Sequence, residues 1–264
     1  MDSSGPEAYE RYLVPAIFAP WGERLVNLAG IKAGERVLDA ACGTGVVGRL
    51  AAARVGPRGA VAGVDVNPGM VAVARAVAAG IAPPIDWHEG DLHSLPFPDH
   101  SFDAVLCQFS LMFLADRRTA LAEMNRVLAP GGRVAITVWQ SLAHNPGWSL
   151  FISALERHAS SDAVAIMQAP FALGDADEVR GLLIGAGFGD VRRHVDEHVI
   201  RFPSPLEMVR RQAASSPLAG PVEALDAAGR IRLVRGLTDL LAPYTDNTGV
   251  AFPGRAHLLT ARKP

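Results

Sequence analysis

Short stretches built on apolar residues alternate, through the first half of the chain, with longer ones in which apolar residues recur every three or four positions. The runs at 36–40, 60–66, 85–89, 102–108 and 133–139 predict buried strands, and the periodic stretches 20–30, 45–55, 69–79 and 116–128 predict helices. Gly56-Pro57-Arg58-Gly59 and Ala129-Pro130-Gly131-Gly132 read as turns. Asn67 before Pro68 reads as a helix start, because the carboxamide caps free N–H groups and proline suits the first helical position. Apolar strands separated by helices predict a parallel sheet covered on both faces. Beyond residue 140 the pattern loosens. A helix over 175–186 stops at Gly187, and strands are expected at 190–202 and 250–262, which makes seven. Residues 204–245 read as helical, punctuated by Pro205, Pro217, Pro221 and Pro243. Connections this long are usually functional, so 204–245 and 142–172 are expected to form a helical cap. The expected organisation is an N-terminal helical segment (1–30), a core (31–141) and a remainder of the sheet carrying the cap (142–264).

Chemistry concentrates where the first strand ends. Val37 to Gly48 is a strand, a glycine-rich turn and a helix start, with Gly43, Gly45 and Gly48 spaced as G-x-G-x-x-G. Glycine lets a ligand lie against bare backbone, and the helix beyond aims unpaired N–H groups at it. A nucleotide-like cofactor follows. Asp65, 17 residues past Gly48, also fits a dinucleotide enzyme, in which an acid binds a ribose. Three features point elsewhere. Asp39 sits inside the turn, where a dinucleotide fold usually has small or apolar residues, a second acid, Asp91, follows the third strand in Gly90-Asp91-Leu92, and the segment from Gly90 to Trp139 has an order of its own. Two separate carboxylates can then address one nucleoside.

Composition removes several function classes. The chain has 264 residues, 49% apolar and 20% charged, with a formal charge of −2. A pI near 6.4 and scattered arginines offer no basic track for a nucleic acid. Two cysteines, Cys42 and Cys107, both in buried-looking segments, predict no disulfide framework and an intracellular chain. They are too few and too far apart for an iron–sulfur site, and no residue grouping has metal-ligand spacing. The polar start lacks a signal-peptide layout, and no run reaches the roughly 20 apolar residues of a membrane span. A cytoplasmic protein without a membrane span is expected.

The motifs together resemble a known family. Val37–Gly48, Val61-Ala62-Gly63-Val64-Asp65, the stretch Gly90 to Asp103 containing Leu95-Pro96-Phe97-Pro98-Asp99-His100-Ser101-Phe102-Asp103, and Val127-Leu128-Ala129-Pro130-Gly131-Gly132-Arg133 resemble class I S-adenosylmethionine-dependent methyltransferases, in the type 11, ubiquinone/menaquinone-biosynthesis-like branch. The resemblance covers roughly residues 36–140. It implies a Rossmann-like α/β fold, a seven-stranded mostly parallel sheet with helices on both faces, and S-adenosyl-L-methionine as cofactor. It also implies that Asp39, Gly43 and Gly45 shape the turn beneath the methionyl part. Ala41 stands there where the family most often has glycine. Asp65 is then the acceptor of both ribose hydroxyls, with Val66 beside the adenine and Met70 in the same cofactor set. Asp91 binds the adenine amino group, Leu92 adds its backbone N–H, and Gln108 lies near the sulfonium.

The acceptor is expected to be a small molecule, akin to a quinone precursor or a natural product. After the fourth strand stands Cys107-Gln108-Phe109-Ser110, in place of the Asn/Asp-Pro-Pro-aromatic stretch of base-amino DNA methyltransferases. Ahead of the first strand, Tyr9, Tyr12, Leu13, Phe18 and Trp21 are spaced so that several could share a helix face. In relatives such a segment folds over the cofactor; otherwise it packs on the sheet. Candidate acceptor-binding residues are Tyr12, Phe18, Phe109, Trp139 and His144. Trp148, Phe151, Met167, Phe171, Phe202 and Met208 either line the acceptor site or form the cap's own core. No catalytic base is assigned; His144 is the first candidate, then His93 and His194, each also readable as a structural histidine. Three other readings stay open: an NAD(P)-dependent oxidoreductase, a cofactor-binding module without turnover, and a different reaction such as a cyclisation. The acceptor atom (oxygen, nitrogen or carbon) is open too, as is a homodimer.

Overall fold

The computed structural model describes residues 5–264. Eight strands form one sheet: β1 (Arg36–Ala40), β2 (Ala60–Asp65), β3 (Ile85–Glu89), β4 (Phe102–Gln108), β5 (Leu128–Trp139), β6 (Gly189–Phe202), β7 (Thr245–Asp246) and β8 (Gly249–Arg262). Their order is β3-β2-β1-β4-β5-β8-β6, with β7 paired to β8. The first five are mutually parallel, and β8 is antiparallel to both β5 and β6. Strands β1 and β4 are neighbours, yet the chain leaves them in opposite directions across the sheet. At such a switch point the loops part and open a crevice at the carboxyl ends of the strands.

The helices are α1 (Gly5–Ala8), α2 (Ala19–Ala29), α3 (Val46–Val55), α4 (Pro68–Val77), α5 (Arg117–Val127), α6 (Pro146–His158), α7 (Ser161–Gln168), α8 (Ala176–Gly185), α9 (Pro205–Ala214), α10 (Ala219–Glu223) and α11 (Ala227–Leu240). Between α1 and α2 the chain winds as a ten-residue π-helix, Tyr9–Phe18. The central strands are apolar because both faces are covered: Leu38, Ala40, Val64, Val105, Cys107 and Ile136 sit in a core on one side. Val37, Val61, Ala104, Leu106 and Ala135 meet Leu25, Val47 and Ala51 on the other. Asn67 caps α4, its Oδ1 accepting N–H of Gly69 at 2.9 Å.

Two elements differ from expectation. β5 begins at Leu128 rather than near 133, because the Pro-Gly-Gly turn pairs with the chain's end: Gly131 N–H donates to the Lys263 carbonyl (3.0 Å) and Lys263 N–H to that of Gly132 (2.9 Å). The eighth strand, β7, is a two-residue arm of a hairpin into β8. Its turn is held by Asp246, whose Oδ1 accepts Thr248 N–H at 2.7 Å. The segments on either side of β6 meet, α11 packing on α6 and α10 on α7, while α9 packs on the π-helix.

Candidate active site

A cavity of about 500 Å³ opens where β1, β2 and β4 end, roofed by α7, the end of α9 and the π-helix. A second hollow of about 580 Å³ lies at the other end of the sheet, lined by ion-paired residues such as Glu35 with Arg133. We place the chemistry in the first, at the switch point, where the glycine turn and the carboxylates of β1 and β2 converge.

Each acid there has a structural partner. Asp39, 1% exposed, lies one residue before the end of β1, its Oδ2 accepting Gly48 N–H at 2.7 Å. It thereby satisfies an orphan donor in the first turn of α3, whose capping residue Gly45 has no side chain to do so. Burial pushes the Asp39 carboxyl up to about 7, against the Gly48 hydrogen bond. Asp65 holds the turn from the neighbouring strand: Oδ2 accepts Gly43 N–H (2.8 Å) and Oδ1 accepts Asn67 N–H (2.9 Å). Burial also pushes the Tyr9 hydroxyl and the Cys42 thiol well above their ordinary values, so both stay protonated at neutral pH.

The three motif glycines do different work. Gly43, with φ +54°, faces the cavity; a side chain there would meet nothing nearer than the Tyr9 ring at 3.9 Å. Gly45 does not line the cavity. A Cβ at Gly45 or Gly63 would sit inside the Trp87 ring, and one at Gly48 would come within 2.9 Å of it. These glycines form a slot that seats Trp87 of β3 beneath the turn. Ala41 does adopt a left-handed conformation, φ +56°, where an alanine is strained.

The aromatic wall comes from the π-helix. Its i→i+5 bonds wind about 4.4 residues per turn, or roughly 80° per residue. Tyr9, Leu13 and Phe18 then share one face, whereas α winding at about 100° per residue would set Tyr9 and Phe18 on opposite faces. The two rings stack at 4.8 Å. Gln108, at the end of β4, ties this helix down by donating to the Phe18 carbonyl at 2.8 Å. Phe109 follows with φ +50°, a conformation held by its N–H on the Thr137 carbonyl (2.9 Å) and by stacking on Trp139 at 4.2 Å.

Of the expected cofactor residues, Asp39, Ala41, Gly43, Asp65, Met70 and Gln108 line this cavity. Val66 is 73% exposed beyond it, Leu92 is turned into the core, and exposed Asp91 is engaged by His93, with its Oδ1 accepting the backbone N–H at 2.9 Å. Of the expected acceptor residues, Phe18 and Phe109 line the main chamber and Trp139 a side chamber. Tyr12 is corrected: its ring faces away, between the guanidinium groups of Arg11 and Arg211 at 5.4 and 5.2 Å. His144 is corrected too, being exposed and bonded to Ser141 Oγ at 3.1 Å, outside the cavity wall. His93 and His194 also lie outside that wall. Gln212 and Ser215 in the roof and Ser110 beside Gln108 also line the cavity without being among the expected residues. Their polarity is not itself a signal; only the fold brings them together.

Comparison with known proteins adds independent information. Residues 37–132 match a methyltransferase domain family. Over 183 residues, 69% of each chain, the sequence is 33% identical to a ubiquinone/menaquinone biosynthesis C-methyltransferase of Teredinibacter turnerae. It is 43% identical over 116 residues to a demethylmenaquinone methyltransferase of Thermus thermophilus, spanning 44% of this chain and 52% of that one. The chain thus spans about half the length of several of its curated relatives. Among solved structures, the YcgJ protein of Bacillus subtilis superposes with a TM-score of 0.61 at 20% identity, covering 92% of this chain and 98% of that one. That likeness bears on the fold alone.

Proposed function

The chain belongs to the S-adenosylmethionine-dependent methyltransferases, and on that premise we propose that this cavity holds the cofactor at its Gly43–Asp65 end and a small, largely apolar acceptor under the roof. The observation that carries the reading is one cavity with two unlike ends. At one end the Asp65 carboxylate faces an open glycine backbone, and at the other the wall is aromatic and aliphatic. Each Asp65 oxygen accepts one backbone N–H and keeps a second acceptor direction for a ribose hydroxyl. Asp91 and Val66, beyond the rim, are assigned to the adenine. Acceptors of the quinone-precursor type, on which the named relatives act, suit the apolar end.

When bound, the cofactor supplies an electrophilic methyl group on a sulfonium. The chain's own contribution is alignment and exclusion of water, and positioning alone can supply about 7–11 kcal/mol. Among the described lining residues, the acidic and phenol or thiol side chains are Tyr9, Asp39, Cys42 and Asp65, and all four gather at the Gly43 end. The acceptor end offers the Ser215 hydroxyl and the Gln212 amide, while the Ser110 hydroxyl lies nearer the turn, donating to the Gln108 carbonyl at 3.0 Å. Such a wall orients a nucleophile that is already electron-rich, such as an activated carbon or an acidic hydroxyl, and removes no strongly held proton.

The direct test is a thermal-shift titration with S-adenosylhomocysteine and, separately, NADH. A ligand at 100 times its Kd stabilises by about 2.7 kcal/mol, so only S-adenosylhomocysteine should raise the melting temperature. Stabilisation by NADH alone would reinstate the oxidoreductase reading. Acceptor products that gain no methyl group by mass spectrometry would favour a cyclisation or a module without turnover.

Asp39 gives this affinity a pH dependence. Its folded pKa, about 7, lies above the ordinary 3.8. The folded state therefore holds the proton through that window, and the stability Asp39 contributes declines as pH rises across it, levelling above 7. A cationic cofactor favours the carboxylate, so binding below pH 7 releases the proton. The Kd for S-adenosylmethionine should tighten by up to about tenfold per unit as pH rises towards 7 and then level. Calorimetry across that range should show Asp39→Asn flat; an identical slope in the variant would remove Asp39 from the linkage.

A further inference from the structure

The cavity has a side chamber of about 80 Å³, walled by Ile17, Trp139, Trp148 and Phe171, that shares Leu13, Phe18, Met167 and Gln212 with the main chamber. Two polar groups at this end stand out against the apolar wall. Ser215, 6% exposed, lines the main chamber, and its Oγ has no hydrogen-bond partner. Trp148, 4% exposed, lines the side chamber, and its Nε1 has no partner either. Gln212, 5% exposed, lies at the junction of the two. Buried polar groups are normally paired, because leaving one unpaired costs about 1–3 kcal/mol. Indole N–H only donates, a hydroxyl does both, and a carboxamide does both. No charged side chain lines the side chamber among the described residues.

We propose that Gln212, Ser215 and Trp148 are specificity-determining residues that read one uncharged oxygen on an otherwise apolar acceptor. The inference rests on the methyl-transfer reading, and it adds which residues choose the acceptor and by what feature. Size divides the work between the chambers. A dry cavity of about 150 Å³ takes a benzene ring, so the side chamber, at about 80 Å³, takes a short substituent while the ring stays in the main chamber. A carbonyl or hydroxyl at the junction meets the Gln212 amide, with Ser215 on its main-chamber side and the Trp148 indole on its side-chamber side. A charged group finds no partner for its charge and is rejected by the cost of desolvation.

The test uses a matched probe pair, 2-naphthol and 2-methylnaphthalene, which differ by a hydroxyl in place of a methyl group. Binding is measured by ligand-observed NMR on the full chain saturated with S-adenosylhomocysteine. The parent should prefer 2-naphthol about tenfold. Gln212→Leu should reduce that preference to within about twofold, and Ser215→Ala should reduce it about threefold. Both variants should bind S-adenosylhomocysteine as the parent does, which reports that fold and cofactor end are intact. Equal affinity of the parent for the two probes, no binding of either, or an undiminished preference in Gln212→Leu overturns the proposal. Failure of the parent to bind S-adenosylhomocysteine overturns instead the reading on which it rests.

Discussion

Asp65→Ala is expected to weaken S-adenosylhomocysteine binding by at least about 100-fold while leaving the chain folded. A hydrogen bond to a charged group contributes about 1.5–3 kcal/mol, so two ribose hydroxyls lost together amount to about 3–6 kcal/mol, or two to four powers of ten in Kd. The truncation also frees Gly43 N–H and Asn67 N–H, which Asp65 now holds at 2.8 and 2.9 Å, so the turn loosens. Global stability should change little, because Asp65 is only half-buried and Asn67 still caps α4. Asp65→Asn, which keeps one acceptor oxygen, should fall between parent and alanine variant. Calorimetric titration decides the matter, and parent-like affinity in Asp65→Ala would remove the carboxylate from the cofactor site.

A large loss of stability is expected at Gly45. An alanine there carries its Cβ into the Trp87 ring and must also hold φ near +81°. The left-handed conformation alone costs about 1–2 kcal/mol, and displacing a packed indole adds overpacking strain of about 1–3 kcal/mol. Trp87→Ala should lose about 3–5 kcal/mol from the other side of the same contact. Combined with Trp87→Ala, the glycine substitution should cost less than it does alone, because the clash is gone. Denaturant unfolding of the four proteins measures this coupling. Additive losses would mean that Trp87 does not occupy the slot between Gly45, Gly48 and Gly63.

Strands β1, β3 and β4 end where the residue pattern places them; β1 and β4 are short apolar runs sealed on both faces, whereas β3, an edge strand, fully buries Trp87 alone. The roles within the glycine motif were less legible. Spacing identifies Gly43 and Gly45 alike, but what separates them is Trp87, whose place beneath the turn depends on the β2–β3 pairing. Tyr12 and His144 were misplaced for related reasons. Tyr12 reads as one of an aromatic stripe, yet the winding turns it towards two arginines. His144 follows β5 closely in sequence, but the turn that contains it runs over the surface. Gln212 and Ser215 had no local signal, since a cavity assembled from three distant segments exists only after folding.

The ten-residue π-helix makes the cavity wall sensitive to chain length as well as to residue identity. Deleting one residue between Tyr9 and Phe18, even a solvent-facing one, would let the segment rewind with ordinary α pitch. The ring stack would then come apart although both aromatics remained. Among relatives, an indel in this short segment would reshape the acceptor site more than many substitutions of its aromatics, so chain length there is itself a determinant of what the enzyme admits.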